Sequence, residues 1–211
     1  MIESIKKIFH ITNPCTNTGM SVEEKIETMY NSLAADEITL KVGSDLTKFS
    51  QNIVSQIGII RENTFETSGF IIPKVRLLSA ENFQENEYEI AINNEVLYSG
   101  FTLLNEDDAV FDIINNFKDT CHEKLDKLFT NSVTEKYIDI VQKNNSRLVW
   151  NLSNVMPLWG IKYILINILQ KGKSIKNINL LFEKMCEYST KSKKTPTPYD
   201  IAEKVFNECC K

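Results

Sequence analysis

Histidine and arginine are scarce in this 211-residue chain: two histidines, His10 and His122, and three arginines, Arg61, Arg76 and Arg147. So few imidazoles disfavour zinc hydrolases and histidine-based acid–base enzymes. So few guanidiniums, with no aromatics interleaved, offer no platform for stacked bases. Glycine is also sparse, at 7 residues. Gly43–Asp45 lacks the glycine run and the Lys-Ser/Thr pair that a phosphate loop requires. The cysteines at 15, 121, 186, 209 and 210 contain no CxxC spacing. They read as reduced thiols rather than a disulfide framework. No apolar run nears the ~20 residues of a membrane span. The best candidate, Trp159–Leu169, is broken by Gly160, Lys162 and Asn167. Residues 1–13 are too polar for the core of a signal peptide. A cytoplasmic location without membrane insertion is the expectation.

What is present is ordinary for a globular protein: 42% hydrophobic and 25% charged residues, enough to build a core without staples. Twenty-four basic against 28 acidic residues give a net charge of −4. No global positive field draws in nucleic acid, and no nucleic-acid partner is expected.

The hydropathy pattern changes along the chain. Ser21 and Glu24 form a capping box for a helix to about Leu33. Ile38–Val42 alternates at period two, as a strand does, and Gly43 ends it. Leu46, Phe49, Ile53, Ile57 and Ile60 predict an amphipathic helix over about 47–67, stopped by Gly69. Phe70–Leu78 reads as a second strand, with Pro73 at an edge or irregularity. Glu87–Ile92 and Glu95–Ser99 flank Asn93-Asn94, a hairpin signal because Asn tolerates positive φ. Beyond Asn105 the pattern is helical. Asn105 caps a stripe running from Val110 through Cys121 to Leu128. Ser132 and Glu135 cap Val133–Gln142. Pro157 opens a helix to Lys171, closed by Gly172. Ser174 caps the next helix, and Thr197-Pro198 starts the last. Strands early and helices late imply an α+β fold, a small β-α-β-β domain followed by an all-helical domain. The expected divisions are a helical or linker segment at 1–35, an α/β domain with its following long helix at 36–128, and a helical domain at 129–211.

No assembled catalytic group emerges, and no cofactor or metal is expected. Cys121 and His122 are adjacent, but consecutive helical residues point about 100° apart and cannot pair as nucleophile and base. Cys121 lies on the apolar stripe, as a small core residue does. A cysteine-dependent enzyme or redox sensor using Cys121 or Cys15 is the alternative reading. Cys209-Cys210 reads as a frayed helix end. Glu106, Asp107 and Asp108 fit the first turn of a helix, where the macrodipole favours anions. Lys171, Lys173 and Lys176 begin a locally basic stretch that is either a solvated face or a patch for a partner. Trp150 and Trp159 flank Met156-Pro157 and are either interface anchors or the lock between the two halves.

Several segments resemble one family. They are Asp36–Leu46 with Gly43; Ile57–Leu77 carrying Ile60, Arg61, Gly69, Phe70, Pro73, Val75 and Arg76; Asn86-Glu87-Tyr88 with its hairpin to Gly100; and Leu169–Val205 with the run Ser174–Asn177. In order and spacing they resemble the cytoplasmic region of the FHIPEP family, the flagellar export-gate protein FlhA and its type III secretion relatives. The resemblance implies a non-catalytic interaction module that docks or scaffolds in protein export. It implies protein partners, export-apparatus components or secretion chaperones, and a homo-oligomer formed through the helical domain. A soluble paralogue put to another use remains an alternative. The chain reads as a reduced form, without the family's membrane half, the subdomain inserted after the hairpin, or the final α/β subdomain. The family's threonine near the start of the following helix falls about where Ala109 stands, so no chaperone-site residue carries over.

Overall fold

Ile38, Leu40 and Val42 are fully buried while Thr39 and Lys41 between them are not, so the period-two pattern buries one face of a central strand. This is β1 (Ile38–Val42) in a computed structural model that describes residues 38–103, 105–191 and 196–209. The described residues belong to one compact unit beginning at Asp36. The expected Ser21–Leu33 helix, His10 and Cys15 lie outside them.

After β1 a 3-10 turn (Ser44–Phe49) leads into α1 (Ser50–Ser68). Next come β2 (Val75–Ser79), β3 (Glu87–Ile92) and β4 (Glu95–Phe101). The strands lie in the order β2-β1-β3-β4, with β1 parallel to β2 and antiparallel to β3. A parallel pair needs a crossover, and α1 supplies it. Asn93 and Asn94 take φ of 50° and 65°, the turn that the sequence predicts between β3 and β4. Only four residues separate the end of β4 from α2 (Glu106–Glu123), too few for a subdomain inserted after the hairpin.

The helical part continues with α3 (Leu125–Leu128), α4 (Asn131–Asn144), α5 (Ser146–Val155), α6 (Leu158–Gln170), α7 (Ile178–Lys191) and α8 (Pro198–Cys209). The fold is α+β, as expected, and α5 is an element the periodicity did not reveal. The stripe read as one helix to Leu128 breaks at Lys124, giving α2 and α3. Two caps differ from expectation. Thr130, not Ser132, caps α4 by accepting from the Val133 amide at 3.2 Å. Asn177, not Ser174, accepts from the Leu180 amide in the first turn of α7. Ser174 instead accepts from the Lys176 amide in the preceding loop. Pro157 stands at the cap of α6 rather than within it. Thr197 and Asp200 form a reciprocal capping box at α8: the Asp200 amide donates to the Thr197 hydroxyl and the Thr197 amide to the Asp200 carboxylate.

β2 starts later than Phe70, and side chains explain the delay. Tyr137 of α4 accepts from the Ile71 amide at 3.0 Å and donates to the Gly69 carbonyl at 2.8 Å. Arg61 Nε donates to the Ile72 carbonyl at 3.1 Å. Pro73 has no amide to offer. Side chains thus take several backbone groups of 69–73, and a ladder begins only at Val75. Gly69 caps α1 at φ 76°, and a Cβ there would stand 2.8 Å from the Lys176 nitrogen. Only glycine fits that turn against that neighbour. The Phe70, Phe129 and Tyr137 rings stack in sequence at 5.5 Å spacings. This stack and the Tyr137 hydroxyl join the α/β part to the helices, and one continuous buried core runs through both.

Candidate protein-interaction surface

The two tryptophans sit on helices that meet at a sharp bend. Asn145 caps α5 by accepting from the Leu148 amide at 3.1 Å, and Leu148 and Leu152 bury its inner face. Trp150 therefore points outward and is 67% exposed. Extended residues at Met156 and Pro157 end α5, and α6 departs at 103°. Ile161, Ile164, Leu165, Ile168 and Leu169 bury α6 on one side. Trp159 falls on the other and is 52% exposed. Tyr163, one turn on, meets the exposed Tyr199 of α8 edge to face, with ring centroids 4.5 Å apart. Neither tryptophan locks the two halves together; the Phe70–Phe129–Tyr137 stack does that.

The lysines are less free than their sequence suggests. Lys171 Nζ lies 4.2 Å from the Phe206 ring centroid, a cation–π contact holding the end of α6 near α8. Lys176 pairs with Glu66 at 3.0 Å and lies over Phe65. Lys173 is half-buried.

The residues of the resembling segments have structural work. A Cβ at Gly43 would stand 2.0 Å from the Gln84 carbonyl oxygen, so the exit of β1 runs against bare backbone. Tyr88 is buried, stacks on Tyr98 at 5.6 Å and accepts from Asn116 of α2 at 2.7 Å. Burial pushes its hydroxyl well above the ordinary tyrosine range. Gly100 lies beneath the Tyr98 ring.

A cleft of about 460 Å³ lies between α1 and α2, with Phe70, Ile72, Cys121, Leu125 and Leu169 in its lining and Lys118, Asp119 and His122 exposed. It is the one place where a thiol and an imidazole were expected side by side. Burial pushes the Cys121 thiol up to about 12, so it is protonated at neutral pH and a poor nucleophile. Burial and the Glu183 carboxylate raise the Cys186 thiol as well. The cysteine-enzyme reading finds no activated thiol in Cys121 or Cys186. Among the described residues no three of His, Cys, Asp and Glu come together to hold a metal ion. Asn105 caps α2 by accepting from the Asp108 amide at 3.0 Å, which places Glu106, Asp107 and Asp108 in its first turn. Among the described residues no single helix is long and apolar enough to cross a membrane.

The FHIPEP family model matches residues 10–112, ending before the Leu169–Val205 segment. No curated protein sequence matches the chain. Among 45 similar solved chains is Chlamydia pneumoniae CdsV, solved alone (16% identity, TM-score 0.68) and in complex with CdsO (17%, 0.67). In both comparisons 80% of this chain and 63% of the other are covered. The nonameric SctV-C of EPEC has 20% identity and TM-score 0.66, with 81% of this chain and 64% of that one covered. The nonameric EscV cytosolic domain from the type III secretion system has 20% identity and TM-score 0.64, with 81% and 63% covered. The chain thus spans under two thirds of the length of these structures, and at such identities they fix the fold alone. Sequence motifs, family match and fold agree: residues 10–112 match the FHIPEP family model, and the fold resembles the cytoplasmic domain of type III secretion export-gate proteins.

Proposed function

We propose that the chain is a non-catalytic module of protein export that acts in the cytoplasm by docking to other proteins and to copies of itself through the outer face of its helical part. The observation that carries this reading is the exposure of Trp150 and Trp159, 67% and 52%, on helices whose other faces are well packed. Large aromatics are costly to leave in water and are the residues that dominate interface energies. The cleft between α1 and α2 holds a thiol pushed up to about 12, not an activated group. The nonameric state of SctV-C and the complex of CdsV with CdsO support self-association and protein partners by analogy of fold. Lys171, Lys173 and Lys176 stand at the margin of this proposal, because exposed charges contribute little to binding each.

Sedimentation velocity of the full chain over a concentration series tests the reading. Wild type is expected to populate species above one copy. Trp150→Ala and Trp159→Ala together are expected to weaken each contact by at least about 2 kcal/mol, or ~30-fold in affinity. A double variant that keeps the wild-type distribution would place the interface elsewhere.

A further inference from the structure

The cleft between α1 and α2 has no part in the docking surface proposed above. Its floor is apolar: Phe70, Ile72, Cys121, Leu125 and Leu169 are all buried. Protein interiors pack to crystal density, and voids larger than a water molecule are few. An open space of about 460 Å³ is far larger than such a packing defect. It falls within the roughly 300–1,000 Å³ of small-molecule sites. Polar groups stand on its rim. Lys118 and His122 are four residues apart on α2, so both lie on one face of that helix. Both are exposed, and Lys118 has no ion pair among the described residues. Across the cleft on α1, Thr67 and Ser68 donate their hydroxyls to the carbonyls of Asn63 and Thr64. Thr64 lines the cleft too, and its own hydroxyl has no hydrogen bond among the described residues.

Three hydrogen-bond donors above an apolar floor match an amphiphile with a short apolar chain and an anionic head. A carboxylate accepts from an ammonium, an imidazole N–H and a hydroxyl, and bonds to a charged donor are the stronger ones. The chain gains with each CH₂ that leaves water for the floor. We propose that the α1–α2 cleft binds a small amphiphilic carboxylate, with its chain against Phe70, Leu125 and Leu169 and its head held by Lys118, His122 and Thr64. Asp119 also lines the cleft and carries the opposing charge. Its repulsion grows with the charge of the head, so a single carboxylate suits this rim better than a phosphate. None of these residues belongs to the Trp150 and Trp159 surface, so this inference and the docking reading stand or fall separately.

The test is isothermal titration calorimetry of the full chain with decanoate and with decylamine, which share a chain and differ in the sign of the head. Decanoate is expected to bind the more tightly. Nuclear Overhauser contacts from the decanoate methyl group to the Leu125 and Leu169 methyls are expected, and they locate the site without any substitution. Lys118→Ala/His122→Ala changes two exposed positions, so the fold is expected to survive. That variant should bind decanoate about 3–10-fold more weakly and decylamine no more weakly than wild type. Asp119→Asn should tighten decanoate. Decylamine that binds as tightly as decanoate overturns the carboxylate head, as does a double variant with wild-type decanoate affinity. Decanoate that fails to bind, or whose contacts fall outside the cleft, overturns the site.

Discussion

Removing one oxygen from Tyr137 should loosen the joint between the sheet and the helices. The hydroxyl makes two hydrogen bonds, from the Ile71 amide at 3.0 Å and to the Gly69 carbonyl at 2.8 Å. In Tyr137→Phe the ring stays between its neighbours, so the stack with Phe129 survives, and only the polar loss is measured. Gly69 is buried, so its carbonyl is left without a partner, which costs about 1–3 kcal/mol. Ile71 is 45% exposed, and its amide can turn to water, so that bond costs only about 1 kcal/mol. The sum is about 2–4 kcal/mol, with each kcal/mol worth roughly 2–4 °C in melting temperature for a chain of this size. Urea unfolding monitored by tryptophan fluorescence and by circular dichroism reads it directly, provided that the slope m is unchanged. A midpoint shift equivalent to less than about 0.5 kcal/mol would show that the hydroxyl does not join the two halves, and the reason given for the late start of β2 would fall with it.

Other outcomes follow from the same geometry. Gly69→Ala forces a Cβ into φ 76° and within 2.8 Å of Lys176 nitrogen; a loss of about 1–3 kcal/mol in chemical unfolding is expected, against none if the loop simply shifts. Thr197→Ala removes the cap of α8 and should cost about 1 kcal/mol, with faster amide exchange confined to the first turn of that helix. Cys121 should label slowly in the native state and fast once unfolded, and prompt native labelling would contradict its burial. Because its thiol rises from an ordinary value of 9.0 to about 12 in the folded chain, the unfolded chain loses the proton first as pH rises. The stability tied to this group is whole below about pH 9 and is lost on the way to pH 12, and Cys121→Ala should flatten that part of the pH profile.

Much of the fold was legible because local and tertiary signals agree. In β1 the alternation of Ile38, Leu40 and Val42 is also the burial pattern, and at Asn93-Asn94 the turn residues are the ones whose φ is positive. The reading failed where tertiary partners replaced local ones. Phe70–Lys74 has strand composition, but Tyr137 and Arg61, distant in sequence or one helix away, take its backbone groups. Helix α5 was missed because its ten residues include Ser146, Asn151, Ser153 and Asn154, weak helix formers. The signal that could have found it was Asn145 as a cap, with Leu148 and Leu152 one turn apart behind it. The site was only half legible. Trp150 and Trp159 were named from the sequence, but only the fold shows that both are exposed.

The whole account depends on the chain working through its outer surface in contact with other proteins, and the mass of the full chain in solution tests that most directly. Light scattering on the purified 24.3 kDa protein over a rising concentration series should show a mass that climbs above one copy and falls back when Trp150 is replaced by alanine. A mass that stays at one copy at every concentration, with and without Trp150, would contradict it.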